Sequence, residues 1–553
     1  MGLLWVSQLL AQNRTVSGKV TGEDQSGLPG VNVTVKGTTT GVITNSNGDY
    51  SIGVPAEGTL VFTFIGYTTQ EIAVGNRTSI DIAMQPDTKQ LSEVVVTAVG
   101  IERNQKALGY SVERVDASKV QQISEPDVLR GLQGKVPGVN IIGSSGIPGS
   151  ATRLTIRGNR SFFGNNQPLF VVDGVPYNND SNGANAGGNG QLSGGGAYSS
   201  RIADLDPNNI ESMTVLKGGA AAALYGIRAA NGVVVITTKT GAGKPSKKGL
   251  EVAFSSSYAV ENIANLPRYQ NSYGTGSGFG YAQANGSWGA PFPGAVPYPT
   301  IDSIPMWNAY AAAFPNLRGT RVPYRAYPNN VRDFFETGRV FENSITVSGG
   351  TGKSSIVATA SKLDQTGYIP NTSFGRTNLS LGGSTVLENK LTIGGSFAYT
   401  NSIQNGPAGG ANNAVGNASI FGRTMFLGRS WPLQDLPFEN PTTRGSVFFI
   451  PVGSSTNPYW SAKYDGFSSN VNRIIAGLNA SYDILNWLTI SYKIGVNTYG
   501  QRDLEWFRPG SRGGQQIGEI TQTGTDFTEI ESNLLLSATR KFGEDFDLRV
   551  VLG

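Results

Sequence analysis

Leu91-Ser92-Glu93-Val94-Val95-Val96-Thr97-Ala98-Val99-Gly100 is the stretch around which the rest of the chain can be ordered. Three consecutive valines and a threonine favour an extended backbone. Asp87, Thr88, Lys89 and Gln90 lead into the run as a polar link, and Arg103, Asn104, Gln105 and Lys106 lead out of it. No turn signal beside it offers a hairpin partner. An apolar strand without a built-in neighbour carries unpaired backbone groups, and such an edge invites pairing with another chain. The ordinary alternative is a core or edge strand of an adjoining domain, so the flanks have to decide.

Upstream, Leu3-Leu4-Trp5-Val6-Ser7-Gln8-Leu9-Leu10-Ala11-Gln12 is apolar, short and not preceded by basic residues. Residues 1–11 read as the remnant of a secretory signal with cleavage after Ala11, a buried first strand being the alternative. Residues 14–86 then show short strands punctuated by turn residues. Val31, Val33 and Val35 alternate with Asn32, Thr34 and Lys36, and Tyr50, Ile52 and Val54 repeat the same period of two. Val16–Val20, Leu60–Ile65, Ile72 with Val74, and Ile80 with Ile82 complete a pattern that predicts a small β-sandwich. Asn47 and Asp49 lack the full acidic spacing and the bidentate Glu of a calcium loop, so Asn45–Asp49 reads as a tight turn.

The totals exclude much chemistry. Among 553 residues there is no cysteine and no histidine. Disulfide frameworks, thiolate and imidazole zinc sites, Ser-His-Asp triads and Cys-His pairs are therefore out of reach. No catalytic residue, metal site or cofactor is expected. Charged residues make up 15% of the chain against about 25% in an average soluble protein, and the net charge of +4 gives no reason to expect nucleic acid as a partner. No apolar run approaches the roughly 18 residues that a membrane helix needs.

Downstream, Val112–Val115, Val139–Ile142, Leu154–Arg157, Met213–Leu216 and Val233–Thr238 read as strands, as does Pro168–Pro176 with its Asp173-Gly174 turn. Ser124-Glu125-Pro126-Asp127 carries capping signals for a helix running through Val128 and Leu132 to Gly134. Asp206-Pro207 opens another, and Ala220–Leu224 makes a short third. Asn178–Gly196 is rich in Gly, Asn and Ser and reads as a flexible loop. Residues 105–242 thus form a mixed α/β unit.

Here a resemblance becomes specific. Arg157-Gly158, Gln167–Pro176, Ile210–Gly218, Ala223–Gly226 and Asn231–Lys239, in that order, resemble the plug of TonB-dependent outer-membrane transporters. The first domain resembles the carboxypeptidase-regulatory-like β-sandwich, a binding or spacer module without catalysis. With the valine run, the set resembles the SusC/RagA branch of the family. The resemblance implies that Glu93, Val94, Val95, Val96, Thr97 and Ala98 are a TonB box within a linker over 87–104. It places the plug pattern, structural and gating, on Arg157, Gly158, Asp173, Gly174, Glu211, Lys217, Gly218, Tyr225, Gly226, Asn231 and Gly232. Met213 and Ile227 are unusual choices within that pattern.

From residue 248 to 553 the texture changes. Leu391, Ile393, Phe397 and Tyr399 alternate with Thr392, Gly394, Ser396 and Ala398, and Leu488–Val496 and Ile474–Tyr482 alternate likewise. Leu250–Val260, Asn343–Ser348, Ser355–Leu363, Arg376–Val386, Asn533–Arg540 and Phe546–Val551 bring the set to about nine strands of about ten residues, the dyad signature of an antiparallel transmembrane β-barrel. Lipid offers no hydrogen bonds, so such strands pair in a closed ring. The resemblance implies a ring of about 22 strands with a plugged lumen, of which these nine form the first, incomplete part. A soluble sandwich or adhesin alternates too, but predicts short loops at both ends. Here short turns alternate with long Gly/Pro/aromatic loops, Pro267–Pro328 and Ile403–Pro458. Gly274-Thr275-Gly276-Ser277-Gly278-Phe279-Gly280 lacks the Lys-Ser/Thr end of a phosphate loop and reads as a flexible loop. Trp288, Tyr298, Trp307, Trp431 and Trp460 are expected mainly to pack within the loops. Ligand-contacting residues stay unassigned.

The expectation is TonB-dependent active import of a nutrient across the outer membrane. Its implied partners are TonB with its energising ExbB and ExbD, a SusD-like surface lipoprotein, an oligosaccharide or peptide ligand, and outer-membrane lipid. The first domain is expected in the periplasm. A non-transporting outer-membrane binding or adhesion protein is the alternative. A signal-transducing receptor would carry an extra α/β domain, and an enzyme has too few suitable side chains.

Overall fold

The computed structural model describes residues 14–22, 26–38, 40–55, 57–64, 67–85, 94–96, 102–104, 111–120, 126–143, 145–162, 166–179, 198–218, 225–240, 249–284, 286–295, 300–408, 420–450, 455–511, 517–542 and 546–553. The chain divides into two compact units, one holding the first domain and the other holding everything from the α/β segment onward.

The first unit is a β-sandwich. One sheet has the order β4-β1-β7, built from β1 (Arg14–Thr21), β4 (Asp49–Val54) and β7 (Ile82–Ala83). The other has the order β3-β2-β5-β6, built from β2 (Asn32–Val35), β3 (Gly41–Ile43), β5 (Thr59–Thr63) and β6 (Gln70–Ala73). The alternating valines point inward: Val16, Val20, Val31, Val33 and Val35 are buried with Tyr50, Ile52, Leu60 and Phe62 in one apolar cluster. At the tight turn, Asn45 Oδ1 accepts hydrogen bonds from the backbone N–H of Asn47 and Asp49, each at 2.9 Å. No cation is needed to hold it.

The valine run corrects one expectation. Val94–Val96 is a strand, β8, but it is not alone: it pairs with β9 (Glu102–Asn104) in a two-stranded sheet. The sequence between them carries no hairpin signal, yet backbone groups exposed on a lone strand take the nearest available partner. Glu93, Thr97 and Ala98 lie outside the described residues.

The α/β segment centres on a five-stranded sheet of order β10-β15-β16-β13-β14, comprising β10 (Val112–Asp116), β13 (Leu169–Val172), β14 (Val175–Tyr177), β15 (Ile210–Leu216) and β16 (Val233–Thr238). A separate hairpin joins β11 (Val139–Gly143) to β12 (Thr152–Ile156). Continuous apolar runs fit the central strands, whose Met213, Val215, Val234 and Ile236 are all buried. The helices expected here shrink to single turns. Arg130–Leu132 is a 3₁₀ turn, because Asp127 spends its carboxylate on the N–H of Leu129 two residues on, at 2.9 Å. Pro207–Asn209 is likewise one 3₁₀ turn, capped by Asp206. The segment expected as Ala220–Leu224 helix, most of the Asn178–Gly196 loop, and Ser124 and Glu125 lie outside the described residues.

The remaining long strands form one nine-stranded antiparallel sheet in strict chain order. It begins with β17 (Gly249–Glu261). After two small outer hairpins, β18 (Gly276–Ser277) with β19 (Gly280–Tyr281) and β20 (Ser303–Pro305) with β21 (Arg321–Pro323), it resumes at β22 (Gly338–Gly350). It continues through β23 (Ser354–Thr366), β24 (Ser373–Val386), β25 (Leu391–Gly406), β26 (Gly466–Leu485), β27 (Leu488–Phe507) and β28 (Glu519–Phe542) to β29 (Phe546–Leu552). Most strands run well past the expected ten residues, β28 reaching 24. The apolar alternation marks only part of each strand, and the polar remainder continues the same ladder.

The long connections are packed rather than loose. Trp307, Tyr310, Tyr324, Trp431, Phe448 and Phe449 share one buried cluster, with Trp431 stacked on Phe449 at 5.1 Å between ring centroids. The glycine-rich 274–280 stretch is also ordered, contrary to expectation: Gly274 N donates to Ala290 O at 3.1 Å, and β18 pairs with β19. Its glycines serve close approach, since a Cβ on Gly276 would fall 2.1 Å from Gly280 O. Trp460 is buried as well, Trp288 is exposed, and Tyr298 lies outside the described residues.

Candidate functional site: a plug latched to the strand wall

The inner face of the long-stranded sheet carries polar residues, and the α/β segment sits against it. The contact is organised by a short stretch of irregular backbone, residues 199–209, that presents two carboxylates to the wall. Asp206 is fixed by its own capping bond from Asn208 N, at 2.9 Å. Its other oxygen accepts from Ser361 Oγ at 2.6 Å and Asn378 Nδ2 at 3.1 Å. Asp204 accepts from Ser402 Oγ at 2.6 Å, from Arg201 Nη1 at 3.2 Å and from Arg473 Nη1 at 3.4 Å.

Two wall arginines answer these carboxylates. Arg376 Nη1 donates to the carbonyl oxygens of Pro126, Ala203 and Leu205, each at 2.9 Å, while its Nη2 lies 3.5 Å from Glu342 and 3.8 Å from Asp206. Arg473 donates to Asn497 Oδ1 and to Asn178 O, and its guanidinium lies 3.6 Å over the ring of Tyr177. Both side chains are almost wholly buried. Buried ions hold their charge only when paired and hydrogen-bonded, and here every one has several partners. Gln404 adds a neutral clamp: its Oε1 accepts from Ser199 N and its Nε2 donates to Pro148 O, each at 2.8 Å.

A second contact lies at the β13–β14 turn. Asp173 (φ 47°) and Gly174 (φ 80°) both occupy the left-handed region that a two-residue hairpin of the primed type demands. The Asp173 carboxylate accepts from Thr238 N at 2.9 Å within the plug and from Ser396 Oγ at 3.1 Å on the wall. A Cβ on Gly174 would fall 2.5 Å from Lys493 Nζ, so glycine admits the lysine to the turn.

The other motif residues gather elsewhere. Arg157 (φ 58°) donates its N–H to Gly138 O at 2.8 Å, and its guanidinium reaches Gly218. Lys217 lies 3.8 Å from Glu113, and a Cβ on Gly232 would meet Ile156 and Leu216. Asn231 Nδ2 donates to Gln167 O at 3.4 Å. Gly226 (φ 70°) starts the 3₁₀ turn Ile227–Ala229, Tyr225 packs on the apolar cluster around Val112 and Val233, and Glu211 stands half-buried on β15. Arg157, Gly158, Lys217, Gly218, Asn231 and Gly232 thus shape turns at the end of the plug sheet where β10 begins, while Asp173 and Gly174 touch the wall at the opposite end. The carboxylate–arginine latch was missed in the sequence. Its signal was there: Arg376 and Arg473 stand on the polar phase of alternating strands, where a lone buried cation needs a counter-ion from inside.

Residues 104–233 match the TonB-dependent receptor plug domain, and residues 16–96 match the CarboxypepD_reg-like domain. SusC of Bacteroides thetaiotaomicron, a TonB-dependent receptor, is 34% identical over 295 residues, which cover 53% of this chain and 27% of SusC. The chain carries the plug domain of TonB-dependent receptors and is similar to SusC. A second relative, TonB-dependent receptor P39 of Formosa agariphila, is 38% identical over 258 residues, 46% of this chain and 22% of its own length. The chain thus aligns with only about a quarter of the length of these two curated relatives. Among solved structures, the RagAB peptide importer in its "open-open" state matches with a TM-score of 0.64 and 21% identity, over 83% of this chain and 48% of that chain. That likeness carries the fold. TonB-dependent receptors are outer-membrane β-barrels, and the nine-stranded sheet matches part of such a wall in fold. Among the described residues no helix is long and apolar enough to cross a membrane, and no group of acidic residues could hold a metal ion.

Proposed function

We propose that this protein imports a nutrient across the outer membrane by TonB-dependent active transport, without catalytic chemistry. The observation that carries the reading is the latch: a plug held to the wall by Asp204 and Asp206 against Arg473 and Arg376 is fixed, yet through polar contacts that water can replace one by one. Ligand capture on the outer side exposes Glu93–Ala98 in the periplasm. TonB, energised by ExbB and ExbD, adds this strand to its own sheet, and about five backbone bonds at ~1 kcal/mol each resist a brief pull. The pull moves or partly unfolds the plug and opens a path along the wall. Arg157, Gly158, Glu211, Lys217, Gly218, Tyr225, Gly226, Asn231 and Gly232 keep the plug's turns in shape, while Asp173 and Gly174 register it on the wall.

The first domain, over residues 14–86, stands in the periplasm before the box at 87–104, the plug at 105–242 and the wall from 248. A SusD-like surface lipoprotein covers the outer end, and the cargo is an oligosaccharide or a peptide. Deleting Glu93–Ala98 tests the reading: uptake is lost while ligand binding at the cell surface persists. Unchanged uptake overturns it in favour of a non-transporting binding protein. Offering labelled oligosaccharides and labelled peptides to the same cells separates the two cargo classes.

A further inference from the structure

The outward face of the strand wall changes chemistry at a sharp level. Through the paired registers, Ala358, Leu381, Phe397, Ala476, Val496 and Ile530 make one apolar row from β23 to β28. Two rows toward the long connections, the same face reads Lys362, Thr377, Asn401, Asn472, Gly500 and Asp526, with no apolar side chain. The row between is apolar on β23–β26 (Ala360, Leu379, Tyr399, Ile474) and turns to Thr498 and Thr528 on β27 and β28. The boundary therefore steps down by one row along the sheet. A level plane cuts tilted strands at staggered positions in this way. Ile403 and Leu504 interrupt the polar face singly, as scattered surface residues do.

The heights agree with a bilayer. On β26 the outward residues from Ile474 to Ile484 are apolar or small, and Ile474, Leu478, Tyr482 and Ile484 are exposed. Ten residues at about 3.4 Å, tilted by about 40°, rise about 25 Å, the height of a barrel's lipid-facing band. Just above stands a cluster of amides. Asn401 Nδ2 donates to Asn470 Oδ1 at 2.9 Å and Asn472 Oδ1 at 3.0 Å, and Tyr399 OH donates to Asn472 Oδ1 at 2.8 Å. The Nδ2 donors of Asn470 and Asn472 have no acceptor among the described residues. Arg502 with Asp526 and Lys362 with Asp364 flank the cluster as exposed pairs.

We propose that the outer-leaflet hydrocarbon ends at the Tyr399–Ile474 row, and that Asn401 and Asn472, with Asn470 just above them, form a headgroup-contact site whose lower edge is the Asn401–Asn472 pair. Resting on the outer-membrane reading above, this names the lipid partner of the wall. One pair of residues lifts Asn472 about 5 Å above Ile474, inside the polar layer of roughly 5–8 Å that borders the hydrocarbon. There the free amide donors meet the hydroxyl and phosphate oxygens of lipid headgroups. Tyr399 spans the boundary, its ring with the apolar row and its hydroxyl with the amides.

The chain contains no cysteine, so single labels are clean. Leu478→Cys, Asn472→Cys and Ser468→Cys, each carrying bimane on the intact protein, are reconstituted in phosphatidylethanolamine/phosphatidylglycerol vesicles. The lipids are brominated in their acyl chains or spin-labelled at their headgroups. The label at 478 loses its fluorescence to acyl bromines, the label at 472 to headgroup spin labels, and the label at 468 to neither. Quenching at 472 by acyl bromines as strong as at 478, or by neither lipid, overturns the site. Absence of quenching at 478 overturns the outer-membrane reading itself. A label at Asn470→Cys, about 5 Å farther out, is quenched by headgroup spin labels less than the label at 472. The pair Asn401→Leu with Asn472→Leu raises the apolar edge, and the label at 468 then gains headgroup quenching.

Discussion

At the scale of single residues, the latch arginines are the most exposed to loss. Arg376 satisfies three carbonyl oxygens and two carboxylates from inside the wall. Arg376→Ala strands those groups in a water-poor contact, and breaking a buried pair on one side costs about 3–5 kcal/mol. Hydrogen exchange on β15 and β16 should accelerate in the variant while β24 and β25 stay protected. Equal acceleration of both sheets would show that the arginine holds the wall, not the plug. Gly232 (φ 97°) is constrained differently, because a Cβ there would lie 2.8 Å from Ile156 Cδ1 and 3.0 Å from Leu216 O. Gly232→Ala should cost about 1–3 kcal/mol of plug stability, read as a lower denaturant midpoint. Asp465, beside the outer end of β26, is pushed up to about 6, chiefly by burial and against hydrogen bonds from Arg508 N–H and the Ser461 and Ser511 hydroxyls. Its folded value exceeds its unfolded one, so its stabilising share is full below about 4 and is lost as pH rises through about 6. Proteolysis of the outer connections should quicken across that window, and Asp465→Asn should flatten the dependence.

At the scale of elements, the sequence was most readable where period and environment agree. Strands with one apolar face declared themselves, as at Ile474–Tyr482, and all nine wall strands were anticipated in kind. Their lengths were not, because above the apolar band both faces of a strand such as β28 are polar and the period carries no contrast. The helices expected near Val128 and Asp206 failed for a local reason: each capping aspartate closes a turn onto the next residues, and Leu129 and Ile210 go directly into buried packing. The latch was hidden because its charges lie far apart in sequence, Asp204 and Arg473 meeting only in the folded chain. The pairing of β8 with β9 was also invisible, and under the proposed function it has a consequence for TonB. A strand with one edge already occupied offers its partner only the other edge. Arg103→Pro, which removes a donor from β9, should tighten binding of a TonB C-terminal domain to the intact protein by severalfold. Val94→Pro with Val96→Pro should abolish it, and calorimetry with the purified domain reads both.

At the scale of the whole molecule, the plug-and-wall unit combines an apolar sheet core with a largely polar, buried seam. Met213, Val234 and Ile236 are sealed inside the plug, whereas its boundary with the wall is built largely from aspartates, arginines and amides, beside a small apolar contact of Ala203 with Val340, Leu363 and Phe374. Under the proposed function, that division would let the plug hold its own fold while its grip on the wall is exchanged for water. Denaturant should loosen the seam before the core, since it competes for the polar partners of Arg376 and Arg473. In a denaturant titration followed by hydrogen exchange, protection should vanish at the seam before it vanishes at Val234 and Ile236; simultaneous loss would mean that the unit opens only as a whole. The two long outer connections carry a different consequence. Trp307 comes from the first and Trp431, Phe448 and Phe449 from the second, yet they bury one another in a single cluster. The described residues of the two connections share that interior. Grafting one of them from a relative would leave half an interior facing a stranger, so a chimera should keep its stability only when both connections travel together, which a comparison of denaturant midpoints reads.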